Sequence, residues 1–457
     1  MNVASTLIER LLARRVWDSR GRPTVEAEVH LQGGAIGRAI VPAGASKGRR
    51  EALELRDGGA RFGGLDVRSA IDRVCGEIAA ALAGMDAADQ AAIDARLVAL
   101  DGTPNKQRLG ANATLAVSMA VAHAAAAAQG RPLYEVLLAE GHAASAPAGA
   151  AQRPSPTQPQ ALLPMPQIQI FGGGAHAARR VDIQDFMVVC PGARSFAEAL
   201  EWTAEVYRAA GETLAERGAR HGVADEGGHW PDFASNEEAL AALVAAIERA
   251  GFAPGAEVAI ALDVAASEFG ARGRYRLGLD GRELDSDGLI ELLLRWCERY
   301  PIASIEDPLA EDDLEGFARF TRAVGSRLQV VGDDLLVSDA ALVGAAAACG
   351  AANTVLLKPN QRGTLSETLA CWQAARALGY AGIVSARSGE SEDTTIVDLA
   401  IGWGVGQLKV GSFARSERMA KWNQALRIEE RLGARARFAG AAVFGRSTRT
   451  AAGSPPR

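Results

Sequence analysis

Val258-Ala-Ile-Ala-Leu-Asp263 reads as a short buried strand that stops on a carboxylate, and the same figure recurs down the chain. Ile302-Ala-Ser-Ile runs into Glu306, Leu328-Gln-Val-Val-Gly into Asp333, and Thr354-Val-Leu-Leu into Lys358. Gly382-Ile-Val-Ser-Ala then runs into Arg387, and Gln407-Leu into Lys409. The polar ends fall 22 to 43 residues apart, mostly the length of one strand–loop–helix unit. Stretches between them, such as 287–298 and 365–378, have helical periodicity. Repeated units of this kind predict an α/β fold with a (β/α)8 TIM-like barrel, whose functional side chains sit at the C-terminal ends of the strands. A doubly wound open sheet is the rival, but it would focus its site at one crevice. Charged residues ending six consecutive strands favour the barrel.

Working outward, the pattern begins near residue 163 and sustains itself to about 437. Upstream, Val25-Glu-Ala-Glu-Val-His-Leu31 alternates like a half-buried strand, Gly33-Gly34 turns, and 35–41 is a second candidate strand. Helical stretches follow at 66–82 and 112–129, so residues 1–141 read as an α+β domain that caps the barrel. Residues 142–162 are rich in Ala, Pro, Ser and Gln without periodicity, the mark of a flexible insert. Residues 438–457 read as a C-terminal tail.

Composition narrows the function. The chain has 457 residues, enough for two cores, and a formal net charge of −6 with no block of Lys and Arg. A basic nucleic-acid face is therefore not expected. Five scattered cysteines without a CxxC pair suit reduced thiols in a cytoplasmic protein. The first 14 residues lack the apolar core of a secretory signal. The apolar run 113–128 is mostly alanine and contains Ser118 and His123, which favours a close-packed helix over membrane insertion.

Three carboxylates ending successive strands, Asp263, Glu306 and Asp333, would converge on one point and repel one another. A hard divalent cation resolves that conflict, and all-oxygen ligation favours Mg2+ over zinc. Lys358 and Lys409 end later strands across the barrel. Two lysines beside a metal depress each other's pKa, and a neutral lysine can act as a general base. A cation-stabilised carboxylate facing a lysine base is suited to removing a proton alpha to a carboxylate. Enolase-superfamily sites work in this way, with a Lys or His base and one or two Mg2+ ions stabilising the enediolate. Arg387-Ser388 adds a planar cation and a hydroxyl suited to a phosphate.

Longer motifs carry a resemblance over nearly the whole chain. They are Asp18-Ser-Arg-Gly-Arg-Pro-Thr-Val-Glu26, Val41-Pro-Ala-Gly-Ala-Ser-Lys-Gly48 and Glu51-Ala-Leu-Glu-Leu-Arg-Asp57. Val181-Asp-Ile-Gln184, Asp225-Glu-Gly-Gly228, Ser304-Ile-Glu-Asp-Pro308, Val331-Gly-Asp-Asp334 and Ala414-Arg-Ser-Glu-Arg418 follow. In this order they resemble the enolase (phosphopyruvate hydratase) family. The resemblance implies a barrel of the enolase type with two Mg2+ ions per active site. Asp263, Glu306 and Asp333 match the ligands of the first ion, and Ser46 matches a mobile-loop ligand of the second. It further implies that Lys358 takes the C2 proton and that Glu226 protonates the departing C3 hydroxyl. Lys409 matches the lysine near the substrate carboxylate, Arg387 and Ser388 the phosphate clamp, and His176 and Gln184 residues lining the pocket. A homodimer or higher homo-oligomer is implied as well, with a small phospho-carboxylate as substrate; family members also occur at the cell surface or secreted.

Departures from the family gather on one side of the site. Asp185 stands where the family has Glu, and Ala386 where Ser-His-Arg-Ser-Gly has His. Lys47 replaces the Thr after the loop serine, and Ala178-Arg179-Arg180 replaces acidic and amide residues. Added charge at Lys47, Arg179 and Arg180 would suit a more anionic substrate. His229, where the family usually has Phe, is expected to restore the imidazole lost at Ala386. Three functions follow. The first is dehydration of 2-phospho-D-glycerate to phosphoenolpyruvate by a carbon–oxygen lyase. The second is a relative resembling carboxyphosphonoenolpyruvate synthase, acting on another phospho- or phosphono-carboxylate. The third is a weakly active or non-catalytic binding protein.

Overall fold

The computed structural model of the protein describes residues 5–45, 47–145 and 160–448. Eight strands close into a barrel: Met165–Gly172, Asp185–Val189, Ala259–Asp263, Ile302–Glu306, Gln329–Gly332, Thr354–Leu357, Ala381–Ser385 and Gln407–Gly411. They are called the first to eighth barrel strands below. The second runs antiparallel to both its neighbours, and every other pairing is parallel. The repeat read from the sequence is therefore broken once.

That reversal decides where the site residues come from. Asp185 is the first residue of its strand, yet it pairs with Asp263, the last residue of the third. It therefore lies at the same mouth as the carboxyl ends of the parallel strands. The reversed strand ends at the opposite rim, and helix Phe196–Glu216 runs back toward the mouth. Residues 217–235 turn there, and helix Asn236–Arg249 returns the chain to the third strand. Several helices open on the same local signal, a hydroxyl three residues before a glutamate. Ser195 Oγ accepts from Glu198 N at 3.0 Å, Ser235 Oγ from Glu238 N at 3.1 Å and Thr364 Oγ1 from Glu367 N at 3.3 Å.

The N-terminal domain is a three-stranded antiparallel sheet, Ile8–Trp17, Pro23–Leu31 and Ile36–Ile40, covered by helix Ala111–Ala128. The second and third match the expected strands. The first was not expected, because Glu9, Arg10, Arg14 and Arg15 break its apolar pattern; it is an edge strand, where such charges discourage further pairing. The alanines of the long helix have a geometric reason. A Cβ on Gly37 would lie 2.1 Å from Ala120 O and from Ala124 N, so helix and sheet approach to backbone contact. Small residues on both sides permit this, and fifteen of the helix's residues are buried in the domain.

Described residues of the expected insert and of the C-terminal tail form regular elements. Helix Leu133–Ser145 runs into the 142–162 insert, and Ala161–Leu163 forms a strand beside Ala436–Phe438; residues 146–159 lie outside the described residues. Of the 438–457 tail, Gly440–Thr448 forms a 3-10 turn. Its Phe444 is buried with Met165, Met187, Val189, Ala259 and Ala261, and Gln329 Nε2 donates to Val443 O at 2.8 Å. Apolar burial of this plug is the reason the segment is ordered, a contribution a composition-based reading misses.

Candidate active site

Asp263 and Glu306 are the last residues of their strands, Asp333 and Lys358 immediately follow theirs, and Arg387 comes two residues later. Lys409 sits within the eighth strand. All are buried. The structure does not bring the three carboxylates into one direct cluster. It divides them between two ammonium groups.

Lys409 Nζ lies 2.8 Å from Asp263 Oδ2, 2.8 Å from Glu306 Oε2 and 3.4 Å from Asp185 Oδ2. Lys358 Nζ pairs with Asp333 Oδ2, while Gln361 Nε2 donates to Asp333 Oδ1 at 2.9 Å. Gln184 Nε2 donates to Asp263 Oδ2 at 2.9 Å. Burial opposes the charge on each lysine, but the facing carboxylates outweigh it. Asp263 and Glu306 drive Lys409 well above the ordinary lysine range, and Asp333 raises Lys358. Lys409 does lower Lys358, as expected, but the carboxylates facing each lysine outweigh that effect, so the net shift of both is upward. Burial also drives Glu306 well above the carboxylate range, with Asp263 adding to it. For Asp333, burial is outweighed by Lys358 and Arg387, and its carboxyl is held low.

Among the described residues, one group of three acidic side chains brings its oxygens within 4.8 Å of one another: Asp307, Asp333 and Asp334. Only Asp333 belongs to the expected trio. Asp307 has a structural role: its oxygens accept from Asp333 N at 2.9 Å and Asp334 N at 2.8 Å, bracing the end of the fifth strand. Asp263 and Glu306 present a donor set of the right chemistry for a hard cation, and Glu306 Oε1 is buried with no hydrogen-bond partner among the described residues. A divalent ion fits these carboxylate oxygens, which the Lys409 ammonium bridges in this structure. Ser46 lies outside the described residues.

Arg387 donates from two nitrogens to Glu51, at 3.0 and 3.2 Å, and to Asn360 Oδ1 at 3.0 Å. Ser388 Oγ accepts from Ala45 N at 2.8 Å, so the loop before Ser46 rests on the same hydroxyl. Beneath them the fully buried Arg418 donates to Arg387 O at 2.6 Å and Val410 O at 2.9 Å. Glu51 and Arg418 lie in motifs quoted above, but their functions depend on contacts across the fold that no local pattern announces. On the opposite side, His176 Nε2 is 3.9 Å from Glu226 Oε1, and both are buried.

Two expectations fail here. The His229 ring stacks on Tyr207 at 4.1 Å, its Nε2 faces Tyr207 O at 3.0 Å, and it lies over Gly211 of helix Phe196–Glu216. It is packed into the outer helical layer and does not replace an imidazole at Ala386. The added cations are also engaged: Lys47 pairs with Glu54 at 3.1 Å, Arg179 with Glu268 at 2.7 Å and Arg180 with Asp232 at 3.6 Å. Their charge is locally balanced, so they give no argument for a more anionic substrate.

A reversed second strand, acids at the carboxyl ends of the third to fifth strands and lysines at the sixth and eighth define a barrel whose mouth holds buried carboxylates shared between two lysines. Residues 8–137 match the family model described as enolase, N-terminal domain, and residues 160–447 the one described as enolase, C-terminal TIM barrel domain. The chain belongs to the enolase family, whose members typically bind Mg2+.

Proposed function

We propose that the protein is a phosphopyruvate hydratase that removes water from 2-phospho-D-glycerate to give phosphoenolpyruvate. The observation that carries the reading is the pair of buried lysine–carboxylate clusters on Lys358 and Lys409, with the Glu226–His176 pair on the other side. Asp263, Glu306 and Asp333 would hold the resident Mg2+, and Ser46 would help hold a second. Bound magnesium supplies Lewis-acid charge that stabilises the enediolate at the substrate carboxylate. Lys358 takes the C2 proton. Asp333, the carboxylate that most raises Lys358 in this structure, would be drawn to the ion as a ligand, and Lys358 would then be freer to act as the base. Lys409 places fixed positive charge beside the carboxylate, and Arg387 with Ser388 takes the phosphate. Glu226 donates a proton to the leaving C3 hydroxyl, with His176 close by and Asp185 lining the same side.

Two further parts of the reading concern assembly and place. A homodimer is supported by Trp17 and Phe62, which are 51% and 37% exposed and meet edge-on at 5.3 Å. A cytoplasmic location is supported by five unpaired cysteines, among which burial pushes the Cys190, Cys297 and Cys371 thiols up to about 12.

The test follows phosphoenolpyruvate by its ultraviolet absorbance with Mg2+ and C2 proton exchange in heavy water. Product formation with exchange is the expected result. Exchange without product favours a relative acting on another phospho- or phosphono-carboxylate, a reading supported by the missing side chain at Ala386. Neither signal would overturn both in favour of a binding protein.

A further inference from the structure

Gln169 lies within the first barrel strand and is fully buried, and no motif in the sequence singles it out. Both ends of its carboxamide are used. Nε2 donates to Asp185 Oδ1, and Oε1 accepts from Gly228 N at 2.8 Å. The partners fix which end is which, since a carboxylate can only accept and a backbone N–H can only donate. Asp185 turns its other oxygen to Lys409, at 3.4 Å. Gly228 is two residues after Glu226. One side chain thus joins the reversed barrel strand to the loop that carries the proposed acid.

The space around this carboxamide is made by glycines. A Cβ on Gly228 would lie 2.4 Å from Gln169 Oε1. A Cβ on Gly172 would lie 3.4 Å from both Gln169 Oε1 and Nε2, and 2.5 Å from the Ala224 Cβ. Gln169 therefore sits in a slot of fixed depth between two backbones. Gln169 and Asp185 together span from Gly228 N to Lys409 Nζ, so a longer acid would need a shorter amide.

We propose that Gln169 is the positioning residue of the leaving-group side, holding the Asp185 carboxylate and the Glu226 loop in register, with its length matched to Asp185. The inference rests on the reading that Glu226 and Asp185 serve the departing hydroxyl. It also says what a glutamate at 185 requires: an asparagine at 169.

The experiment compares wild type, Gln169→Asn, Asp185→Glu and the double variant, each with Mg2+ and 2-phosphoglycerate. kcat and KM for phosphoenolpyruvate formation are measured beside C2 proton exchange. Each single change is expected to lower dehydration kcat about 10- to 100-fold, with KM and exchange within about threefold of wild type. The double variant is expected to regain at least about tenfold over either single, as a length-matched pair should. Equal loss of exchange and dehydration, undiminished singles, or a double no better than the product of the singles would overturn the positioning role alone. A wild type that exchanges C2 but forms no product would overturn the functional reading, and the role with it.

Discussion

Glu51 and Arg387, 336 residues apart, form a buried two-nitrogen ion pair that fastens the N-terminal domain to the proposed phosphate clamp. Burial opposes the Arg387 charge, and Glu51 followed by Asp333 outweighs it. Glu51→Ala removes the carboxylate balancing a buried guanidinium, a loss on the order of 3–5 kcal/mol. Glu51→Gln keeps an acceptor and costs less. Urea unfolding should rank wild type above Gln above Ala, and KM should rise more than kcat falls. An alanine variant as stable as wild type would mean that the pair contributes nothing.

Magnesium should stabilise the folded protein, because Asp263 and Glu306 share a single ammonium group, that of Lys409. At an ion concentration about 100 times the dissociation constant the gain is about 2.7 kcal/mol. Asp263→Asn should remove most of the rise in melting temperature. An unchanged rise in that variant would place the ion elsewhere, with Asp307 and Asp334 the next set to test.

His229→Phe should leave turnover within about twofold of wild type, because the ring lies against Tyr207 and Gly211. Loss of the contact to Tyr207 O should cost about 1 kcal/mol in unfolding experiments. A large fall in kcat at unchanged stability would show that the imidazole reaches the reaction.

The parallel part of the barrel was legible because each strand is a short apolar run with a charged end, and the candidate acids and lysines came with it. Asp185 and Glu226 were identified only through resemblance. They reach the mouth by way of a reversed strand and a loop between two helices, and direction within a barrel leaves no local mark in sequence. Glu51, Arg418 and Gln169 were not assigned roles for a related reason: their partners lie in other elements. His229 misled because a motif gives the neighbour in sequence, and the side to which its ring turns is set by helix packing.

Asp398 offers a prediction about the domain junction. Its Oδ1 accepts from Tyr134 N at 3.2 Å, tying barrel helix Thr395–Gly402 to the start of helix Leu133–Ser145. Burial pushes this carboxyl up to about 7, the Tyr134 N–H opposes the shift, and Asp393 adds to it. In the unfolded chain it would titrate near about 3.9. The folded state therefore keeps a proton that the unfolded state loses between those values. Its contribution is full below about pH 3.9 and is lost as pH rises toward about 7. Asp398→Asn retains a carbonyl acceptor for Tyr134 and cannot ionise. The variant should be more stable than wild type at pH 8 and should lose less stability between pH 4.5 and 7, as read from urea midpoints at several pH values. An identical decline in both proteins would assign the slope to another buried acid, such as Asp94, whose carboxyl burial also raises.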